Sequence, residues 1–252
     1  MEAPIMRRTP LLFALAATTA LAACGENSPN SAAEMSPAVS EPAAGVPARA
    51  APPARATPEQ QAAAPTGVAQ GGTDAWRSVA TAGDASLLGR LDQAWRLGRA
   101  EAETAGFARQ VEALGPLVDP NAALPGRLQP APGAYRCRTL KLGRRVEGQG
   151  AAFVEQPWAA CSVEMTPGGD LILTKTTGAQ RMRGLLYPDT DRRLVYVGTQ
   201  ALGEAGNTFP AYGETPARDQ VGALERIGQN RWRLVLPWPK QDAKLELLEI
   251  VR

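Results

Sequence analysis

The spacing of apolar residues predicts a helical part of the chain followed by a part built from strands. Apolar residues at helical spacing form two runs, namely Leu88, Leu91, Trp95 and Ala102, then Phe107, Val111 and Leu114. These runs predict helices over 84–104 and 106–114 that form an antiparallel or bent pair. Asp84 or Ser86 is the expected N-cap of the first helix, and Gly115-Pro116 ends the second.

From Gly133 onward the period changes to two, which is typical of half-buried strands. The predicted strands are 135–140, 151–155, 159–165, 171–177, 181–187, 193–199, 221–227, 231–236 and 244–251. Residues typical of turns separate many of them, with hairpin loops predicted at 166–170, 187–191 and 228–230.

About eight short antiparallel strands predict either a small eight-stranded barrel of calycin-like outline or a sandwich. We favour the barrel because closure removes exposed strand edges. The expected fold class is α+β, with a helical segment over 73–125 packed on an antiparallel β domain over 126–252. Together these two parts form one folded unit over 73–252.

The first 23 residues have the organisation of an export signal. Arg7 and Arg8 precede an apolar run over 11–23, which is too short to span a bilayer. The run ends in Leu21-Ala22-Ala23-Cys24, which resembles the lipobox of bacterial lipoproteins. That resemblance implies cleavage before Cys24 and acylation of its thiol and amino group, so that the acyl chains form a stable membrane anchor. An ordinary secretory signal with an Ala-x-Ala cleavage site is the alternative.

Residues 24–72 are expected to form a disordered tether. They are rich in Ala and Pro and contain no Leu, Ile, Phe, Trp or Tyr, so they cannot bury enough apolar surface to offset the entropy of ordering. The expected location is the bacterial cell envelope, with the folded domain in the periplasm. Gly25, in place of Asp, favours the outer membrane by resemblance to lipoprotein sorting in enteric bacteria.

Composition excludes several classes of chemistry. The chain has no histidine, so no imidazole can act as a base, an acid or a metal ligand. Its 27 Lys and Arg residues nearly balance 25 Asp and Glu residues, and this balance provides no broad attraction for nucleic acid. We predict no cofactor, no metal site and no catalytic residue, and the expected partners are the membrane through Cys24 and a protein or lipophilic ligand.

Cys137 and Cys161 are the cysteines that remain after lipidation of Cys24. Both lie in predicted strands, and in an oxidising periplasm an even pair predicts a disulfide. A redox or metal-binding pair is the alternative, but there is no Cys-x-x-Cys spacing and no histidine to complete a zinc site.

Aromatic residues in or beside Pro- and Gly-rich loops are Trp158, Tyr187, Phe209, Tyr212 and Trp238, and the first four are the candidate binding residues. They predict either a binding rim or packing that covers the end of the barrel. The longest polar connection between strands, 203–213, is the first place to expect a functional loop. The arginine pairs Arg136/Arg138, Arg181/Arg183, Arg192/Arg193 and Arg231/Arg233 are interpreted as the solvated face of the sheet, with anion binding as the alternative.

Two functions remain open at this point. The first is a membrane-anchored, non-enzymatic binding or assembly module. The alternative is a histidine-free envelope hydrolase that uses paired carboxylates. The carboxylates that would have to meet across a barrel mouth are Glu155, Glu164, Glu204, Asp219 and Glu225.

Five short segments of the folded part have the character of family motifs. They are Trp76-Arg77-Ser78-Val79-Ala80, Ala123-Leu124-Pro125, Gly133-Ala134-Tyr135-Arg136-Cys137-Arg138, Leu185 with Tyr187-Pro188-Asp189, and Arg231-Trp232-Arg233-Leu234-Val235-Leu236-Pro237. Together they resemble domain-of-unknown-function family 4893 over 73–252. The resemblance implies an exported alphaproteobacterial protein with an envelope address, and it supplies no activity and no site residues.

Overall fold

The computed structural model describes residues 75–203 and 208–252. The predicted signal peptide over 1–23, the lipidation site Cys24 and the tether over 24–72 lie outside these residues. Glu204 lies outside them as well.

Within the described residues, four short helices precede the sheet. They are α1 (Ala75–Val79), α2 (Ala82–Leu88), α3 (Leu91–Ala102) and α4 (Ala108–Ala113). A π-helical turn over Glu103–Phe107 joins α3 to α4, and the backbone bends at Gly106, where φ is 94°. A 3₁₀ turn over Gly115–Leu117 follows α4.

The prediction of one helix over 84–104 is wrong, because the chain breaks between α2 and α3 at Gly89 and Arg90. The N-cap prediction is also wrong, since the side chain of Thr81 caps α2 by accepting a hydrogen bond from the Asp84 amide. The physical reason is packing: α2 and α3 bury their apolar faces against different parts of the barrel, so they need different axes.

Nine antiparallel strands form the sheet. They are β1 (Gly133–Arg144), β2 (Phe153–Glu155), β3 (Ala159–Met165), β4 (Leu171–Lys175), β5 (Gln180–Pro188), β6 (Arg193–Leu202), β7 (Asp219–Gly228), β8 (Arg231–Pro237) and β9 (Ala243–Val251). Each predicted strand has a counterpart here, and the three predicted hairpin loops lie between β3 and β4, β5 and β6, and β7 and β8.

The sheet closes into a barrel because β1 pairs with β9 from Arg136↔Val251 to Arg144↔Ala243. On its other edge β1 pairs first with β3 and then, through Leu140–Leu142, with the short strand β2. Strands β1 and β3 to β9 therefore form the closed eight-stranded barrel. The short strand β2 lies beside β1, beyond the part of β1 that pairs with β3. This confirms the predicted eight-stranded barrel over the sandwich, and it confirms the α+β class.

The two faces of the barrel wall are covered differently. Inward-facing apolar side chains from all eight barrel strands pack into one cluster that includes Leu173, Tyr196 and Leu234. On the outside, α3 and α4 cover parts of β1, β8 and β9, while α1 and α2 cover parts of β5 to β7. Within 75–203 and 208–252, no helix combines the length and the hydrophobicity needed to cross a bilayer.

The interpretation of the arginine pairs as a solvated face is wrong for Arg233. Its side chain is 0% exposed, and it donates hydrogen bonds to Glu225 and to the backbone carbonyls of Pro116, Leu117 and Asp119. The helical segment covers this outward-facing position, so the guanidinium fastens the chain after α4 to β8. Arg181 is also buried, beneath the ring of Phe209.

Candidate binding site at one end of the barrel

Two groups of polar side chains converge at the end of the barrel where β1 ends and β9 begins. The opposite end is covered by the segment 126–132, whose Leu128 packs into the apolar cluster of the lumen. We call the first end the polar end. It carries a cleft on the outside of the barrel and a set of buried polar residues inside it.

The cationic cleft lies between α2 and the loop that joins β8 to β9, and its volume is about 600 Å³. Its lining residues are Thr81, Gly83, Asp84, Leu87, Arg90, Arg145, Trp238, Lys240 and Ala243. The helix break at Gly89 and Arg90 places Arg90 on this wall, because the chain turns there from α2 into α3.

Positive charge exceeds negative charge in the cationic cleft. Asp84 is its buried carboxylate, which forms an ion pair with Lys240 at 2.9 Å and accepts a hydrogen bond from the Tyr212 hydroxyl at 2.7 Å. Arg145 donates to the backbone carbonyl of Pro239, and neither it nor Arg90 has a carboxylate partner among the described residues. Two guanidinium groups therefore remain available for an anion.

Trp238 forms one wall of the cleft in an unusual backbone conformation. Its φ is 51°, in the left-handed region that a residue with a side chain enters at a cost of about 1–2 kcal/mol. The surrounding structure must hold it there, and its amide donates to Lys244 across the loop. The guanidinium of Arg90 lies 5.9 Å from the ring, and the indole Nε1 is buried without a hydrogen-bond partner in the described part of the chain.

Inside the barrel, the polar end of the lumen contains six buried polar side chains, which we call the polar lumen. They are Thr139, Lys141, Lys175, Gln200, Gln220 and Glu246. The ammonium group of Lys141 donates to Gln180 and Asp242, both at 2.7 Å, and lies 3.8 Å from Glu246.

The second lysine of the polar lumen has uncharged partners. The ammonium group of Lys175 donates to Thr139 at 3.0 Å and to Gln156 at 3.2 Å. Burial lowers the pKa of Lys175, although Glu246 opposes this shift. Burial also raises the pKa of Glu246, although Lys141 and Lys175 oppose that shift. Burial thus disfavours the charged form of each residue, and the opposite charge nearby partly offsets this effect.

The four predicted aromatic residues do not form one rim. Trp158 is 40% exposed, and the guanidinium groups of Arg136 and Arg138 lie 4.8 and 4.9 Å from its ring. Tyr187 follows the packing alternative and not the rim, because it lies near the end of β5 and packs beneath α1 and α2 with 1% exposure.

Phe209 and Tyr212 do lie together, along a groove of about 270 Å³ on the outer face of β5 and β6. Tyr212 also reaches the cationic cleft, since its hydroxyl donates to Asp84 and accepts from the Thr81 amide. Burial, together with the hydrogen bond to Asp84, raises the pKa of Tyr212 to about 12. The hydroxyl therefore stays protonated and acts as a structural donor.

The described carboxylates that the hydrolase hypothesis requires do not converge on one site. Glu155 pairs with Arg138, Glu164 with Arg183 and Glu225 with Arg233, while Asp219 accepts a hydrogen bond from the Gly213 amide. They lie on the outer faces of β2, β3 and β7, each with its own partner. Among residues 75–203 and 208–252, no three Cys, Asp or Glu side chains are grouped as metal ligands would be.

Sequence reasoning missed the main residues of the polar end. Lys141 had a usable signal, because the alternation that places Tyr135, Cys137 and Thr139 on one face continues to it. Arg90 and Arg145 had no such signal in the sequence, because only the tertiary fold brings them close to Trp238. Trp238 is one of the loop aromatics named from the sequence, since it lies between Pro237 and Pro239, but it was not among the candidate binding residues.

No curated protein matches the chain. A family model described as a domain of unknown function, DUF4893, matches residues 76–250, which is nearly the whole of the described region. The predicted disulfide between Cys137 and Cys161 is present in this region. The chain therefore belongs to the DUF4893 family of domains of unknown function.

Proposed function

We propose that this protein is a cell-envelope lipoprotein, anchored through Cys24, whose folded domain is a non-enzymatic binding or assembly module. In this proposal the cationic cleft binds a carboxylate-bearing partner. The tether over 24–72 carries the domain in the periplasm, with the anchor in the outer membrane.

The observation that carries the binding role is the unbalanced charge of the cationic cleft. Arg90 and Arg145 have no carboxylate partner in the described part of the chain, and they flank the ring of Trp238 in a cleft of about 600 Å³. A guanidinium group recognises a carboxylate through two parallel hydrogen bonds, and an indole ring offers a flat surface for an apolar group. A carboxylate beside an apolar or aromatic group fits this combination.

The lumen gives less support to a lipophilic ligand. Apolar side chains from all eight barrel strands already fill its central part, and the remaining end is polar. The hydrolase alternative likewise gains no support, because its described carboxylates are separately paired.

Two features support the envelope location. The segment Leu21-Ala22-Ala23-Cys24 has the pattern of a lipobox. The disulfide between Cys137 and Cys161 forms and persists in an oxidising compartment, such as the periplasm.

Calorimetry with the full-length Cys24→Ser chain would test the cleft against two probes. The first is tricarballylate, a small tricarboxylate, and the second is a blocked Glu-Phe-Glu peptide. We expect Arg90→Gln and Arg145→Gln each to weaken binding at least tenfold, because each removes a charge-assisted hydrogen bond worth about 1.5–3 kcal/mol. Tighter binding of the peptide indicates a protein partner, and tighter binding of tricarballylate indicates a small-molecule ligand.

Arg109→Gln is the matched control, since Arg109 is an exposed arginine on α4 that does not line the cleft. It should leave both affinities unchanged. Failure of both probes to bind, or equal losses in all three variants, would rule out the proposed cleft.

Fractionation of cells that express the native chain or the Cys24→Ser variant would test the anchor. We expect the native chain in the membrane fraction with acyl groups on Cys24, and the variant in the soluble periplasmic fraction. If the variant stays in the membrane fraction, the anchor does not depend on Cys24.

A further inference from the structure

Five buried polar atoms, of the polar lumen and of Tyr196 beside it, have no hydrogen-bond partner among the described residues, although Glu246 Oε2 also lies 3.8 Å from the Lys141 ammonium group. These atoms are Tyr196 Oη, Gln200 Oε1, Gln220 Oε1, Gln220 Nε2 and Glu246 Oε2, and each lacks a hydrogen bond within the described residues. The four side chains that carry them are at most 4% exposed. Buried polar groups in native proteins are almost always hydrogen-bonded, so a group of this size points to ordered water or a bound ligand that supplies the partners.

Strand pairing brings these atoms to one level of the barrel. Tyr196 lies opposite Gly222, and Gln220 lies opposite Gly198, so the two side chains belong to neighbouring positions on β6 and β7. The Tyr196 hydroxyl lies directly against Gly198, since a Cβ at that position would be 2.5 Å from it. Glu246 lies opposite Lys141 on the strand pair that closes the barrel.

A layer of hydrogen bonds separates this region from solvent. Gln180 accepts from Lys141 and from Gln156, and Asp242 accepts from Lys141. Asp242 is exposed, and Gln156 and Gln180 are partly exposed, so these residues form the mouth of the lumen. A ligand would enter by displacing these side-chain hydrogen bonds.

The charges at this end are balanced within the protein. Lys141 and Lys175 are matched by Glu246 and Asp242, so a charged ligand would add an uncompensated charge in a buried site. The unpartnered atoms include acceptors, a donor and a hydroxyl that does both. Hydroxyl groups complement such a mixed set, because each one both donates and accepts a hydrogen bond.

We propose that the polar lumen is an internal binding site for a small, neutral, polyhydroxylated molecule such as a polyol or a monosaccharide. This site is distinct from the cationic cleft, and it does not depend on the function proposed for that cleft.

The test uses the full-length Cys24→Ser chain and follows the side-chain amide signals of Gln200 and Gln220 by NMR. The neutral probes are glycerol, erythritol, xylitol and glucose, and the charged counterparts of glucose are gluconate and glucosamine. We expect saturable shifts of both amide signals with at least one neutral probe. Gluconate and glucosamine should bind at least tenfold more weakly than glucose or not at all.

Variants then locate the site. Gln220→Leu and Gln200→Leu should each weaken binding at least tenfold, and having two variants protects the test if one of them fails to fold. Gln129→Leu, an exposed glutamine at the opposite end of the barrel, is the matched control and should bind normally. Arg90→Gln should also bind normally, which separates this site from the cleft.

Three results would overturn the proposal. One is no saturable shift with any neutral probe up to 50 mM, since ordered water alone would then satisfy these atoms. Another is tighter binding of gluconate or glucosamine than of glucose. The third is unchanged binding in both glutamine variants.

Discussion

Trp238 and its neighbours show how single residues shape the polar end. A left-handed backbone at a tryptophan is unfavourable, yet here it turns the ring toward Arg90 at the start of the β8–β9 loop. The same loop supplies Asp242 to the lumen and the Pro239 carbonyl to Arg145. One strained residue therefore lies between the cationic cleft and the mouth of the lumen.

We predict that Trp238→Gly is more stable than Trp238→Ala by about 1 kcal/mol. Both changes remove the ring, but glycine adopts a positive φ without the steric penalty that alanine retains. Urea unfolding of both variants measures this difference in the free energy of unfolding. Equal stability of the two variants would mean that the loop relaxes out of the left-handed conformation.

At the scale of elements, the contact between α3 and the barrel depends on small residues and one carboxylate. A Cβ at Gly98 would lie 2.9 Å from the Leu142 carbonyl, so glycine is needed where α3 crosses β1. One turn of helix further on, Glu101 accepts hydrogen bonds from Arg144 on β1 and Lys244 on β9. The hydrogen bonds from Lys244 and Arg144 outweigh the effect of burial and lower the pKa of Glu101.

We predict that Glu101→Gln lowers the free energy of unfolding by about 1 kcal/mol at pH 7. Because the folded state lowers the pKa of Glu101, its contribution is present above the ordinary value of 4.5 and is lost as the pH falls through the folded value. The loss should therefore shrink below pH 4.5, which urea unfolding at pH 7 and pH 3.5 can measure.

Glu103→Gln is the matched control for this prediction. Glu103, the first residue of the π-helical turn, pairs with Arg99 on α3, and both side chains are 37% exposed, so we expect a loss of at most about 0.5 kcal/mol. An equal loss for Glu101→Gln at both pH values would contradict the assigned role of its charge.

At the scale of the whole molecule, closure of the barrel brings distant parts of the chain together. Within the closed barrel, β1 pairs with β3 along its first half and with β9 along most of its length. The disulfide between Cys137 and Cys161 joins β1 to β3 inside the lumen, where both cysteines are buried. It reinforces the pairing of β1 with β3, which is shorter than the pairing of β1 with β9 that closes the sheet.

We predict that the double variant Cys137→Ala/Cys161→Ala is less stable than the oxidised protein by about 3 kcal/mol. The disulfide closes a loop with a sequence separation of 24, and this limits the freedom of the unfolded chain. Urea unfolding of the double variant, the oxidised protein and the reduced protein measures the difference. The reduced protein should resemble the variant, and a reduced protein as stable as the oxidised one would contradict the prediction.

The residue pattern by itself determined the strands, the turns between them and the cysteine pair, whereas it favoured the barrel over the sandwich and left closure to the pairing of β1 with β9. These features depend on local signals, since alternation of apolar residues defines a strand and Gly- or Pro-rich segments define its ends. Strand β3 was predicted with its observed bounds, Ala159–Met165. The same alternation places Lys141 on the inner face of β1, the face that also carries Cys137.

Only the tertiary structure decided what covers each outward-facing residue. Alternation places Arg231 and Arg233 on the same face of β8, yet the segment after α4 buries Arg233 and leaves Arg231 partly exposed. The break between α2 and α3, the cationic cleft and the burial of Tyr187 follow from the same docking of helices on the barrel. A strand pattern defines two faces, but contacts between residues more than a hundred positions apart determine which part of each face meets solvent.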